Sequence, residues 1–153
     1  MEIKKNEPVK MEDNSQRRII VIILSGEKEP EKAIFGLSFA LAAASSGCSV
    51  TIFLGMSAAV LAKPDLSNKV LVEKYHPIPY YFEMLNEFKV DICICSTCID
   101  LVCNTEEDSG NGENKMINSP SSFLKPKMLR EGVKPIGVIS LIALCREAET
   151  VVF

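Results

Sequence analysis

The sequence predicts a parallel α/β layer fold, a three-layer sandwich around a mainly parallel sheet of about five strands. Three observations predict it. Apolar runs rich in β-branched residues alternate with segments of helical periodicity. The first run, IIVIILS after Arg18, is a continuous β-branched run, the pattern of a strand when helices cover both faces of its sheet. The 153 residues are 47% apolar, enough for one core, since a chain this long buries about two-thirds of its unfolded surface.

The elements follow in order. Residues 1–17 mix Lys4, Lys5, Glu7, Lys10, Glu12, Asp13 and Arg17 with few apolar groups, which predicts a flexible segment ahead of a single domain over 18–153. After the first strand, Gly26, Glu27 and Lys28 make a turn, and Pro30 with Glu29 and Glu31 suits a helix start. That helix runs to about Ser46 and stops at Gly47. It is apolar on more than one side, through Ile34, Leu37, Leu41 and Ala44 but also Phe35, Phe39, Ala42 and Ala43. Ser49 to Leu54 reads as the second strand, with a short helix through Ala62 that Pro64 should end. Ser67 to Pro79 reads as a surface connection. Tyr81, Met84, Leu85 and Phe88 then fall on one helical face.

Val90 to Cys95 is the third strand, in which Cys93 and Cys95 share a face because strand side chains alternate with period two. Residues 104–122, rich in Asn, Ser, Gly and Glu, have little to bury and predict a mobile surface loop. Phe123 to Glu131 reads as a helix broken at Pro126, and Val133 to Ile136 as a short strand. Val138, Leu141, Ile142 and Cys145 form a helical stripe before a final strand at Thr150 to Phe153.

Composition narrows the function. With 17 basic against 20 acidic residues and a net charge of -3, no basic excess faces a phosphate backbone, so nucleic acid is not an expected partner. No apolar leader and no membrane-length run stand out, which predicts a cytoplasmic protein. Six cysteines would suit a secreted disulfide scaffold in a smaller chain. Here four of them crowd between Cys93 and Cys103, a clustering that points to chemistry or metal.

In an open parallel sheet, binding and reactive loops sit at the carboxyl ends of the strands. Cys95 is at such an end. If Ser96 or Thr97 caps a following helix, Cys98 lies in its first turn, where free backbone N–H groups favour a thiolate. A thiolate attacks sulfane sulfur, the oxidised sulfur atom of a persulfide or thiosulfate, and becomes a persulfide itself. A second thiol three residues away can receive that sulfur or expel it by closing a disulfide.

The same C-x-x-C spacing serves dithiol oxidoreductases, and with Cys93 and Cys103 it offers thiolates for zinc or an iron–sulfur cluster. Cys93 divides between core and auxiliary roles, since free cysteine also behaves as a small hydrophobe. Cys48, Cys103 and Cys145 are expected to be core. Lys28, after strand one, could attract an anionic donor, although a loop lysine is usually just solvated. His76, beside Pro77, has no visible partner and reads as a surface residue, while Tyr81 packs in the core.

Two segments carry a resemblance. The string EPEKAIFGLSFALAAASSGCSVTIFLGMSAAVLAK resembles the opening βαβ unit of DsrE/DsrF-like proteins, and EFKVDICICSTCIDLVC resembles that family's active-site strand and turn. The tail, with REGVKPIG, an apolar helix and TVVF, is similar as well. The resemblance implies a flavodoxin-like, DsrE-like sandwich and a sulfur carrier in which Cys95 matches the sulfur-bearing cysteine. Cys98 falls where many members have a small polar residue, and the loop at 104–122 is an insertion beside the site. Also implied are sulfurtransferase-type donor and acceptor proteins or small sulfur anions as partners, and a homotrimer or homohexamer. No cofactor or resident metal is expected. The readings left beside the carrier are a C-x-x-C oxidoreductase and a non-catalytic oligomeric or metal-binding subunit.

Overall fold

The computed structural model describes residues 17–68, 70–103 and 129–153, with the side chains of 100–103 left aside. The expected flexible segment over residues 1–17, apart from Arg17, the polar loop at 104–122 and most of the broken helix from Phe123 lie outside these residues. Five strands form one sheet: β1 (Arg18–Ile23), β2 (Ser49–Leu54), β3 (Asp91–Cys95), β4 (Val133–Ile136) and β5 (Glu149–Val152). Their order is β4-β3-β2-β1-β5, and every pairing is parallel. The helices are α1 (Pro30–Ser45), α2 (Pro64–Ser67), α3 (Ile78–Glu87), α4 (Ser96–Cys103) and α5 (Val138–Cys145), and a 3-10 helix covers Met56–Ala62.

Strand order decides which face each helix covers. From β1 to β4 the chain steps across the sheet in one direction, and from β4 it returns to the far side of β1. Right-handed crossovers place helices of the outward steps on one face and the helix of the return step on the other. Packing agrees. Ile19, Val21, Ile23, Val50, Ile52, Leu54, Ile92 and Ile94 join Ile34, Leu37, Tyr81, Leu85 and Ile99 of α1, α3 and α4 in the main core. The alternate strand residues Phe53, Cys93 and Cys95 form a second, smaller cluster with Ile22, Ile136 and Leu141 of α5. One face is thus covered by several helices and the other by α5 alone.

Several expectations change in detail. Gly47 stops α1 as expected, with a left-handed φ of 95° that glycine adopts without a Cβ penalty. The short helix ends at Ala62, ahead of Pro64 as expected, and Pro64 then also opens α2, where its missing N–H is harmless in a first turn. The segment after Ser67 is not wholly superficial, since Val70 is fully buried. The buried stripe of α3 is Ile78, Tyr81, Phe82 and Leu85, while Phe88, at the cap beyond the last turn, is exposed. α5 buries no residue completely; Val138, Ile139, Ile142 and Leu144 are all exposed in the single chain. β1 is an interior strand, but β2 holds the middle of the sheet.

A candidate thiol site where two helices part

A ligand crevice forms in an open parallel sheet where adjacent strands send their chains to opposite faces. Here that place is between β3 and β4: β3 runs into α4 on the main-core side, and β4 runs into α5 on the other. The last registered pair of those strands is Cys95 opposite Ile136. Their continuations are close as well, since a Cβ on Gly137 would lie 3.9 Å from the Ser96 hydroxyl. Topology therefore delivers Cys95 to the crevice without help from any loop.

Cys95 immediately precedes the first residue of α4, which makes it the helix's N-cap in place of Ser96 or Thr97. An N-cap side chain ordinarily accepts hydrogen bonds from the second and third helical N–H groups through oxygen. Here the acceptor is sulfur, and the donors are the N–H groups of Thr97 and Cys98. The Thr97 hydroxyl and the Cys98 thiol also donate to it. Burial works against ionising Cys95, but these hydrogen bonds outweigh it and hold the thiol below the usual cysteine range.

Cys98 is half-buried and touches both the main core and the smaller cluster. Its own Sγ accepts the backbone N–H of Met56 at 3.2 Å. Burial raises its pKa, the Met56 N–H lowers it, and the hydrogen bond and charge of Cys95 raise it again, so that the net shift is upward. Of the two thiols, Cys95 is therefore the one whose surroundings favour ionisation and Cys98 the one whose surroundings oppose it. Met56 begins the 3-10 helix with a left-handed φ of 50°, a conformation that costs a non-glycine residue about 1–2 kcal/mol.

Cys93 lies on the same face as Cys95, as the alternation predicts, and is 6% exposed. Burial and the nearby Asp91 push its thiol up, with Lys134 partly opposing them. Cys93 is thus the less reactive neighbour. A direct check is alkylation by iodoacetamide against pH. The thiolate is the reacting form, so a lowered pKa should bring Cys95 to half its maximal rate at a lower pH than an ordinary thiol. Cys93 should lag to higher pH. Equal profiles would contradict the hydrogen-bonding account.

The remaining sequence candidates scatter. Lys28 is exposed in the turn after β1, with β2 intervening between its strand and that of Cys95. His76 is exposed and stacks on Tyr80 with ring centroids 4.0 Å apart. Cys48 is buried, as expected, whereas Cys145 is only half-buried on α5. The side chain of Cys103 is outside the described residues. Among the described residues, no three His, Cys, Asp or Glu side chains are grouped so as to hold a metal ion. Nor is any described helix long and apolar enough to cross a membrane.

A cavity of about 180 Å³ opens between α5 and the sheet, lined by Arg18, Ile20, Thr51, Leu144 and Glu147. It lies toward the amino ends of β1 and β2, at the opposite end of the strands from Cys95. Sequence reasoning did not find Met56, because nothing local marks a backbone N–H as the partner of a sulfur 42 residues away.

Comparison with solved structures gives a match to the crystal structure of the YchN protein from E. coli, with a TM-score of 0.60 and 17% identity, covering 90% of this chain and 99% of that one. At that identity the likeness speaks for the fold. No curated protein matches the chain. The model of the DsrE/DsrF-like family matches residues 17–153, a span that includes every strand and helix described above. The chain belongs to the DsrE/DsrF-like family.

Proposed function

We propose that the protein is a cytoplasmic sulfur carrier, holding sulfane sulfur as a persulfide on Cys95 and passing it to an acceptor protein. The observation that carries this reading is the cap: Cys95 Sγ takes the N–H groups of Thr97 and Cys98 at the carboxyl end of β3. That arrangement favours the nucleophilic thiolate over the thiol. Family membership suggests the sulfur-relay role, and the resemblance of EFKVDICICSTCIDLVC to the family's active-site strand and turn supports Cys95 as the sulfur-bearing cysteine. Cys48, Cys93, Cys95, Cys98 and Cys145 are all free, which suits a reducing compartment.

Donor and acceptor are sulfurtransferase-type proteins or, on the donor side, small sulfur anions. Exposure of the reduced protein to inorganic polysulfide, followed by desalting and intact-mass measurement, tests the reading. A mass gain of whole sulfur atoms, removed by dithiothreitol, supports it; a protein that never gains sulfur contradicts it.

The carrier acts as a homo-oligomer, a trimer or hexamer. Val138, Ile139, Ile142 and Leu144 leave most of α5 apolar and exposed, and Val152 of β5 is exposed beside it. A contiguous apolar surface of this kind usually marks an interaction face. Light scattering of an Ile139→Glu, Ile142→Glu variant should give the mass of one chain where the parent gives a multiple. A parent that is already monomeric, or a variant of unchanged mass, would contradict the assignment.

A further inference from the structure

The pairing of Cys98 with Cys95 is more than a carrier needs, since one nucleophilic sulfur suffices to hold a sulfane atom. Cys98 is not a generic core thiol either. It sits in the first turn of α4 with its thiol hydrogen-bonded to Cys95 Sγ, and its own sulfur is held by the Met56 N–H at 3.2 Å. Met56 keeps that contact from a left-handed backbone conformation. A backbone N–H aimed at a sulfur stabilises negative charge on it, so Cys98 is equipped to become a thiolate when the charge on Cys95 is taken up in a new bond.

A persulfide on Cys95 has two electrophilic positions. The outer sulfur is the one an acceptor attacks, and attack there transfers it. The inner sulfur is Cys95 Sγ, only 6% of whose residue surface is exposed and which is packed among Phe53, Cys93, Ile136 and Leu141. Once the site is loaded, the outer sulfur occupies the path by which a donor reaches Cys95, so an external thiol meets that sulfur first. Cys98 already touches it.

We infer that Cys98 is a resolving thiol, which attacks the inner sulfur of the Cys95 persulfide and releases the carried atom as hydrogen sulfide when no acceptor takes it. In this step the bond between Cys98 Sγ and Cys95 Sγ forms as the bond between Cys95 Sγ and the terminal sulfur breaks. The terminal sulfur leaves with the electron pair and with the proton that Cys98 gives up, as HS⁻. The carried sulfur is reduced, the Cys98 sulfur is oxidised, and a Cys95–Cys98 disulfide remains. A small dithiol or a thioredoxin-type reductant restores the starting state by thiol–disulfide exchange.

The site would thus have two outlets: transfer by attack on the outer sulfur, and sulfide release by attack on the inner one. The inference rests on Cys95 holding sulfane sulfur, and its test separates the two claims. The parent and Cys98→Ser are loaded with polysulfide, desalted, and incubated without acceptor. Sulfide is trapped with monobromobimane while protein mass is followed by mass spectrometry under non-reducing conditions.

For the parent, the expected result is loss of the sulfur adduct, one sulfide per adduct, and a final mass two hydrogens below the reduced chain. Cys98→Ser should keep its adduct and release at least about tenfold less sulfide in the same time, because a serine hydroxyl cannot form the disulfide. Cys98→Ala, which also removes the hydroxyl, should behave likewise and guards against a serine-specific effect. If the parent and both variants hold the adduct equally well, the resolving role is overturned while the carrier stands. Migration of the adduct from Cys95 to Cys98 without sulfide release overturns it too. If none of the three acquires sulfur, both claims fall.

Discussion

Cys95→Ser should lose sulfur loading by roughly tenfold or more while leaving the fold intact, because a serine hydroxyl is not ionised near neutral pH and forms no stable bond to sulfane sulfur. The variant is unusually clean. Serine is among the best N-cap residues, and its oxygen can accept the same Thr97 and Cys98 N–H groups that now hold the sulfur. α4 should therefore keep its start, and urea unfolding of the variant should match or slightly exceed the parent. Polysulfide exposure followed by mass spectrometry reads the loading. A variant that loads as well as the parent would mean that another thiol carries the sulfur, and the cap would then be structural only.

The second large effect is expected where the turn after β1 meets the 3-10 helix. A Cβ on Gly26 would stand 2.2 Å from the backbone oxygen of Ser57, and Ser57 in turn donates its hydroxyl to the Leu24 carbonyl at 2.8 Å. The β1 turn and the 3-10 helix are thus pressed together at a point where a backbone atom would have to move. Gly26→Ala should cost about 1–3 kcal/mol, the usual penalty of overpacking, read as a lower urea midpoint with an unchanged slope. Ser57 follows Met56, so the same shift should loosen the N–H held on Cys98. Alkylation of Cys98 should change its pH profile in Gly26→Ala, whereas that of Cys48, in the main core, should not. An unaltered midpoint would show that the turn yields freely.

The strands were legible because β-branched runs in a parallel sheet leave a dense local signature. β2 spans the residues that the sequence predicts, and β3 differs only in starting at Asp91. The position of Cys95 followed from the same signal, since the strand's carboxyl end is where the run stops. The order of the strands was not legible. The crevice between β3 and β4 depends on the chain crossing back to the far side of β1, a choice that no local pattern records.

The cap was missed for a different reason. Ser96 and Thr97 are strong capping residues by type, and the expectation fell on them, but the helix begins one residue earlier and uses the sulfur. The helical stripes failed in proportion to their shortness. In α3 the ten-residue helix ends before Phe88, which removes that side chain from the stripe and brings Ile78 and Phe82 into it. In α5 the apolar residues were identified correctly, yet periodicity tells which side chains share a face and not what covers them. In the single chain, Leu141 reaches the sheet while Ile139 is 85% exposed.

The most direct measurement of the central claim is to locate the sulfur on the loaded parent protein. Cys93, Cys95, Cys98 and Cys103 all fall between Lys89 and Lys115, so one tryptic peptide contains them and fragment ions must assign the adduct within it. With excess reagent blocked by rapid alkylation, the account predicts the added sulfur on Cys95. Sulfur found first on Cys93, Cys48 or Cys145, with Cys95 alkylated as a plain thiol, would contradict it.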